Sequence, residues 1–487
     1  MKKWLAFLAS IVAFSWLAWR LVSPSPPAEA GGAIMVYCAA GVRPPVEACV
    51  KSFGRPVELS FGGSQALLAS ATVSKQGDLF IPGDDSYLRI AREKGLLAET
   101  IPLARMRPVL AVRKGNPKGV RTLADLLRKE VTLVLPSPEA TASGKLVKEA
   151  LEKAGRWAEV DARKAVSKPT VNDVANDLKL GVADAGFVWD ATVRQYPELE
   201  AVPVPELAGA AATISAGVLR SSERPAAALR FARWLAAPDR GGPEFAKDGY
   251  EPAGGDPWDE TPTVLMFGGA MLRPALEPTI QAFERREGCA VTRVYDGCGI
   301  LVGRMKTGVR PDLYFACDVS FMTQVKDRFP TSQDVSINQL VILVKKGNPH
   351  GIAALKDLAK PGLRLGIGNE KQCALGVITQ ETFVQSKLRE AIEKNVVSRQ
   401  PTGDLLVNQI RAGPLDAIVA YLSNSTGSGD ALEAIKVDLP CAMATQPVAV
   451  DPQSPRRQLA SRLVEAFLSE NSKAVFKAEG FRWKQEP

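Results

Sequence analysis

The sequence predicts an α/β protein made of two tandem copies of one unit. Three observations lead there. Short apolar runs alternate with amphipathic stretches, the pattern of strands joined by helical crossovers. A set of motifs recurs in the same order at a nearly constant offset. A proline- and glycine-rich stretch, Pro252-Ala-Gly-Gly-Asp-Pro-Trp-Asp-Glu-Thr-Pro262, falls between the copies.

The duplication rests on paired motifs. Gly77-Asp-Leu-Phe-Ile-Pro-Gly-Asp-Asp-Ser-Tyr-Leu88 matches Pro311-Asp-Leu-Tyr-Phe-Ala-Cys-Asp-Val-Ser-Phe-Met322. Arg43-Pro44 matches Arg273-Pro274, Lys114-Gly-Asn-Pro117 matches Lys346-Gly-Asn-Pro349, Gly144 matches Gly376, and Asp184-Ala185 matches Asp416-Ala417. The chain therefore divides into a leader (residues 1–30), unit 1 (32–251), a linker (252–262) and unit 2 (263–487).

In the leader, Lys2 and Lys3 precede an apolar run from Trp4 to Trp19, then Ser23-Pro-Ser-Pro-Pro27 and Ala28-Glu29-Ala30. This is the layout of an export signal cut after Ala30. An uncleaved anchor is the alternative, since Trp4 to Val22 approaches the ~20 residues that cross a bilayer. The expected location is periplasmic or otherwise extracytoplasmic.

In unit 2, strands are expected at Thr263 to Phe267, Ala290 to Tyr295, Leu313 to Ala316, Gln339 to Lys345 and Leu363 to Ile367. Helices are expected at Arg273 to Arg286, with proline near the first turn, at Gly376 to Lys394 and at Asp404 to Ala412. Parallel strands with helical crossovers follow from that alternation. Ligands in such sheets sit beyond the carboxyl ends of the strands, where helix amino termini point. The Lys-Gly-Asn-Pro turns are expected at a crossover between lobes.

Composition narrows the chemistry. The 487 residues contain one histidine, His350, so imidazole-based acid–base catalysis and histidine-rich zinc sites are poorly supported. His350 is expected at the surface. The net charge of +8 is spread without a basic block, which argues against nucleic acid. Asp78, Asp312, Asp184 and Asp416 stand at strand starts, where capping or orienting is the expected role. The loop Ser423-Asn-Ser-Thr-Gly-Ser-Gly-Asp430 is not followed by Gly-Lys-Ser/Thr, so a nucleotide cradle is unsupported.

At the strand ends, unit 1 reads Val36-Tyr-Cys-Ala-Ala-Gly-Val-Arg-Pro44, Ser60-Phe-Gly-Gly-Ser-Gln-Ala-Leu67, Gly77 to Asp84, Ala142-Ser-Gly-Lys-Leu-Val-Lys-Glu-Ala-Leu151 and Asp184-Ala-Gly-Phe-Val-Trp189. This resembles the periplasmic molybdate-binding proteins, type II solute receptors of oxyanion ABC importers, and the likeness runs through both units. The resemblance implies two α/β lobes per unit around a ligand cleft. It also implies a tetrahedral oxyanion held by two serine hydroxyls, backbone N–H groups at helix starts and a tyrosine. Neutral donors of this kind hold a dianion without a buried counter-charge.

Carried over residue by residue, the family positions in unit 1 are Gly41 and Ser64 for the serines, Ser143 and Val171 for the backbone donors, and Trp189 for the tyrosine. In unit 2 they are Met271, Cys298, Leu375, Gly403 and Tyr421. Both serines are missing from unit 2. Arg43 and Arg273, two residues beyond the first lost serine, could replace the hydroxyls as a bidentate clamp, or lie solvated on a first helical turn.

Seven cysteines, an odd number for an exported chain, are Cys38, Cys49, Cys289, Cys298, Cys317, Cys373 and Cys441. Cys298, Cys317 and Cys373 fall at expected cleft positions of unit 2. They could bind a soft metal or a thiophilic oxyanion, close a disulfide that locks the lobes, or fill tight strand ends.

The resulting expectation is an exported, monomeric receptor that captures an inorganic oxyanion of the molybdate or tungstate type for a membrane ABC permease. It is expected to need no cofactor and to catalyse nothing. The alternatives are a tethered sensory or interaction protein with degenerate clefts, and a thiol-based binder.

Overall fold

The apolar runs of each unit become sheet cores with helices packed on them. A computed structural model describes residues 32–426 and 431–484; the leader and the end of the Ser423 to Asp430 loop lie outside the described residues. The described chain separates into two units. One runs to Leu235 and takes in Glu244–Glu251, and the other takes in Ala236–Pro243 and continues from Pro252.

Unit 1 begins β1 (Ile34–Ala39), α1 (Arg43–Phe53), β2 (Val57–Gly62), α2 (Ser64–Ser74) and β3 (Leu79–Ile81), with β1 parallel to both other strands. Then come β4 (Leu97–Met106) and β5 (Pro108–Arg113). The second lobe adds β6 (Leu133–Pro136), α3 (Ala142–Lys153), β7 (Lys164–Lys168), α4 (Val171–Leu180), β8 (Ala185–Trp189) and β9 (Leu199–Val202). Strand β10 (Ala212–Leu219) returns to the first lobe. One sheet includes the order β4-β10-β3-β1-β2, with a short strand at Glu251–Pro252 beside β4, and the other runs β7-β6-β8-β5-β9. Each lobe has its own core, Phe80 with Leu88 and Leu97 in the first and Leu110 with Leu133 and Phe187 in the second.

Unit 2 repeats the plan. It contains β11 (Thr263–Gly269), α5 (Arg273–Glu287), β12 (Ala290–Asp296), α6 (Cys298–Lys306), β13 (Leu313–Phe315) and β14 (Gln333–Lys345). Its second lobe holds β15 (Leu365–Gly368), α7 (Ala374–Gln385), β16 (Val396–Gln400), α8 (Gly403–Ala412), β17 (Ala417–Tyr421) and β18 (Leu432–Lys436). Strand β19 (Met443–Val450) returns, and α9 (Arg457–Phe467) packs behind it. Phe315 meets Phe467 at 5.7 Å and Phe476 at 6.1 Å between ring centroids, which anchors the first lobe's core.

Three expectations are corrected. The sheets are mixed rather than parallel: β10 is antiparallel to β3 and β4, and β14 to β17, β18 and β19. A chain that crosses to a second lobe and comes back must run its connecting strands in opposite directions. The Lys-Gly-Asn-Pro turns do not mark those crossings. They follow β5 and β14 at the far side of the second lobe, with Asn116 and Asn348 at φ 43° and 45° and each amide bonded four residues on. Unit 1 crosses at Arg107, between β4 and β5, and unit 2 between Gln339 and Leu340, where β14 changes partners from β19 to β17. The helix expected from Gly376 to Lys394 is broken at Lys387, whose φ of 59° ends α7 before a short second helix, Arg389–Glu393.

The paired aspartates orient strands. Asp78 and Asp312 accept the backbone N–H of Met35 and Leu265 at 2.9 and 2.7 Å, while Asp184 and Asp416 accept those of Thr132 and Arg364 at 2.9 Å each. His350 is exposed, with Nε2 3.5 Å from Asp416. Among the described residues no helix is long and apolar enough to cross a membrane.

Candidate functional site

In unit 1 the carboxyl ends of β1, β2 and β3 present the turns that start α1 and α2. Ser64 is the first residue of α2, and its Oγ accepts the Gly83 N–H at 3.0 Å. An accepting hydroxyl keeps its own proton to donate, so Ser64 can offer one O–H at a helix amino terminus. On the second lobe, Ser143 is the second residue of α3 and is fully buried, and its Oγ has no hydrogen-bond partner among the described residues. Buried hydroxyls are rarely left unpaired. Thr141 caps that helix through the Gly144 N–H at 2.9 Å, which leaves the Ser143 hydroxyl unused by the helix itself.

Val171 begins α4 behind the Thr170 cap, and Trp189 ends β8, half-buried, opposite Pro108 at the lobe crossing. Gly41 lies exposed in the turn before α1, and its carbonyl accepts the Tyr250 hydroxyl at 2.5 Å. Arg43 has engagements of its own. Its Nε lies 2.8 Å from Glu47, and its guanidinium sits 4.6 Å from the Phe61 ring centroid. A methyl placed on Gly63, just before α2, would meet nothing within 4 Å, so the approach to Ser64 is open on that side.

Unit 2 puts different chemistry in the same frame. Cys298 takes the place of Ser64 and accepts the Cys317 N–H at 3.1 Å, so the bond found in unit 1 is kept with sulfur in place of oxygen. A thiol donates weakly and a thiolate not at all. Burial works against a Cys298 thiolate, but the Cys317 thiol, the Cys317 N–H and the Tyr314 phenol outweigh it and hold this thiol below its ordinary value. The Cys317 thiol is pushed up, first by its bond to Cys298 and then by burial, and the Tyr314 phenol is pushed up mainly by burial.

Met271 and Leu375 are buried apolar side chains at the positions of Gly41 and Ser143. Tyr421 ends β17 with 2% of its surface exposed, and its Oη has no partner among the described residues. Gly403 starts α8 so close to Asn424 that an added methyl would lie 2.4 Å from Oδ1. Arg273 stacks over Tyr295 at 5.8 Å, repeating the Arg43–Phe61 pair. It also acts on Asp404 of the other lobe: burial raises that carboxyl, and the Asn424 amide and the Arg273 charge draw it back.

The cleft of unit 2 is shut at main-chain level. The Gly299 N–H at the start of α6 donates to the Gln372 carbonyl of the second lobe at 2.9 Å. A methyl on Gly297 would sit 2.4 Å from that carbonyl and 2.6 Å from the Pro401 carbonyl. Glycine at both positions lets the lobes approach this closely.

The three-cysteine metal reading is corrected. Cys298 and Cys317 meet, but Cys373 turns its Sγ to the carbonyls of Asn369 at 3.4 Å and Gln400 at 3.7 Å. Among the described residues no group of three histidine, cysteine, aspartate or glutamate side chains could hold a metal ion. A disulfide locking the lobes is corrected as well: Cys298 and Cys317, joined through the Cys317 N–H, belong to one lobe, and all seven cysteines are free. Two participants went unread in the sequence. Tyr314 stands where unit 1 has Phe80, and that exchange within the matched motif was its signal; Asn424, which accepts the Tyr421 N–H at 3.1 Å, had none.

Two lobes joined by crossing strands, with helix amino termini gathered at their strand ends, define a two-lobed α/β binding protein. The chain belongs to the bacterial extracellular solute-binding protein family, whose profile matches residues 34–251 and again 264–482. It is 26% identical over 222 residues to a putative binding protein of Haemophilus influenzae, covering 45% of this chain and 90% of the relative. It is 27% identical over 222 residues to a molybdate-binding protein of Mycobacterium tuberculosis, covering 44% of this chain and 83% of the relative. Among solved structures, the substrate-binding domain of a putative molybdenum ABC transporter from Clostridium difficile aligns with 18% identity and a TM-score of 0.38, over 46% of this chain and 99% of that one.

Proposed function

We propose that the chain is an exported receptor whose unit 1 captures a tetrahedral inorganic oxyanion, molybdate or tungstate foremost, and delivers it to an ABC permease. The observation that carries this reading is a pair of hydroxyls on opposite lobes, Ser64 and the buried, unpartnered Ser143, each in the first turn of a helix. Hydroxyls and helix amino termini suit a dianion that must be bound reversibly, because the empty cleft then carries no buried charge. The likeness to a molybdate-binding relative points the same way. Calorimetric titration of the purified protein with molybdate, tungstate, sulfate and phosphate tests it. Heat from molybdate or tungstate is expected, and silence with all four overturns the reading.

Unit 2 favours a second role. Its Gly299 N–H is spent on Gln372, and neither family serine is present, so its surface serves better for docking a partner than for taking an oxyanion.

A further inference from the structure

We propose that Cys298 and Cys317 are a redox-active pair that closes a reversible disulfide inside the first lobe of unit 2. The sulfurs share one floor: a methyl on Gly269 would lie 2.0 Å from Cys317 Sγ and 3.2 Å from Cys298 Sγ. The matching place in unit 1 shows the exchange that made this room. There the strand ends in Ala39, and the position of Cys317 is Gly83, where a methyl would lie 4.0 Å from Ala39 Cβ. Unit 1 thus has a methyl on the strand and none on the loop. Unit 2 gives up the methyl at Gly269 and fills the space with a thiol beside a second thiol.

The geometry singles out Cys298 as the attacking sulfur. Cys298 heads α6, accepts the Cys317 N–H and is held toward thiolate, whereas burial pushes Cys49 up to about 12 and Cys373 up to about 11. Both partners lie on one lobe, at the helix ends of consecutive strand-to-helix turns, so closing the bond needs no movement of the second lobe. Access to Cys298, which is fully buried, needs the cleft to open.

The oxidant is a small-molecule disulfide such as oxidised glutathione. The Cys298 thiolate attacks one of its sulfurs, and the first small thiolate leaves and takes up the proton Cys298 gave up. The Cys317 sulfur then gives its proton to the second small thiol as it displaces that thiol from Cys298. Two protein thiols are oxidised, and one small disulfide is reduced to two thiols. None of this depends on which solute unit 1 takes.

The test equilibrates the purified full-length chain in mixtures of reduced and oxidised glutathione, quenches with acid, alkylates free thiols and maps peptides by mass. The expected result is a linked pair of peptides carrying Cys298 and Cys317, lost on full reduction, absent from Cys298→Ser and Cys317→Ser, and retained in Cys373→Ser. Thermal melts of the serine variants confirm that each is folded. No link at any ratio, a link through Cys373, or a link that survives Cys298→Ser overturns the proposal.

Discussion

The Gly83 N–H donates to Ser64 Oγ at 3.0 Å, and this bond decides what the hydroxyl can do. With one lone pair occupied from the loop side, the Ser64 proton is free for an acceptor in the cleft. Ser64→Ala removes that donor and leaves a part-buried N–H without its acceptor. A hydrogen bond to a charged group contributes about 1.5–3 kcal/mol, so oxyanion affinity in calorimetry is expected to fall roughly ten- to hundredfold. Unchanged affinity would remove Ser64 from the binding site.

Gly41 offers the converse experiment. A Cβ built there meets nothing within 4 Å, and its backbone is not in the left-handed region, so a side chain can be added without strain. Gly41→Ser adds a hydroxyl at the position to which the resemblance carries the first serine. Molybdate affinity is expected to rise by about tenfold, the worth of one added hydrogen bond of about 1.4 kcal/mol. A loss of affinity would place Gly41 outside the site.

Stoichiometry follows from the contrast between the units. Native mass spectrometry with excess molybdate is expected to show one anion per chain, bound through unit 1. Ser64→Ala combined with Ser143→Ala is expected to leave none. Two anions per chain would mean that unit 2 binds despite Met271, Cys298 and Leu375.

What the sequence disclosed, and what it hid, follows from where each feature gets its stability. The Lys-Gly-Asn-Pro turns were legible because Asn116 and Asn348 satisfy them locally, each bonding four residues ahead. The first half of β14 was not. Gln333 to Gln339 is polar, and it is a strand because β19 pairs with it, a partner more than a hundred residues away. The break at Lys387 was hidden because apolar spacing continues past it. In the site, Ser64 and Cys298 could be placed by motif. The closure of unit 2 could not, because it rests on the backbone of Lys371, Gln372 and Pro401, which carries no side-chain signature.

The Arg462–Glu287 pair is a stability test confined to unit 2. Glu287 is 1% exposed, and Arg462 Nε lies 2.6 Å from its carboxylate, with a second bond from the guanidinium at 3.1 Å. Removing one partner of such a pair strands a buried charge, which costs about 3–5 kcal/mol. Glu287→Ala is expected to lower the melting transition of unit 2 in calorimetry by several degrees and to leave oxyanion binding by unit 1 unchanged.

Asp85 gives unit 1 a pH dependence whose sign can be worked out. Burial raises its carboxyl to about 6, against a hydrogen bond from Ser215 at 3.0 Å that favours the ionised form. Neighbouring Asp84 adds to the rise, and Arg92 opposes it. A carboxyl with a raised folded-state value binds its proton more tightly when folded than when unfolded. Its contribution is therefore fully present below the unfolded value near 3.8 and is lost as pH climbs through about 6. Asp85→Asn keeps an oxygen to accept from Ser215 and removes the buried charge. The variant is expected to melt higher than the parent at pH 7 to 8, and the gap is expected to close as pH falls toward 4. A gap of the same size at every pH would show that Asp85 does not titrate in that window.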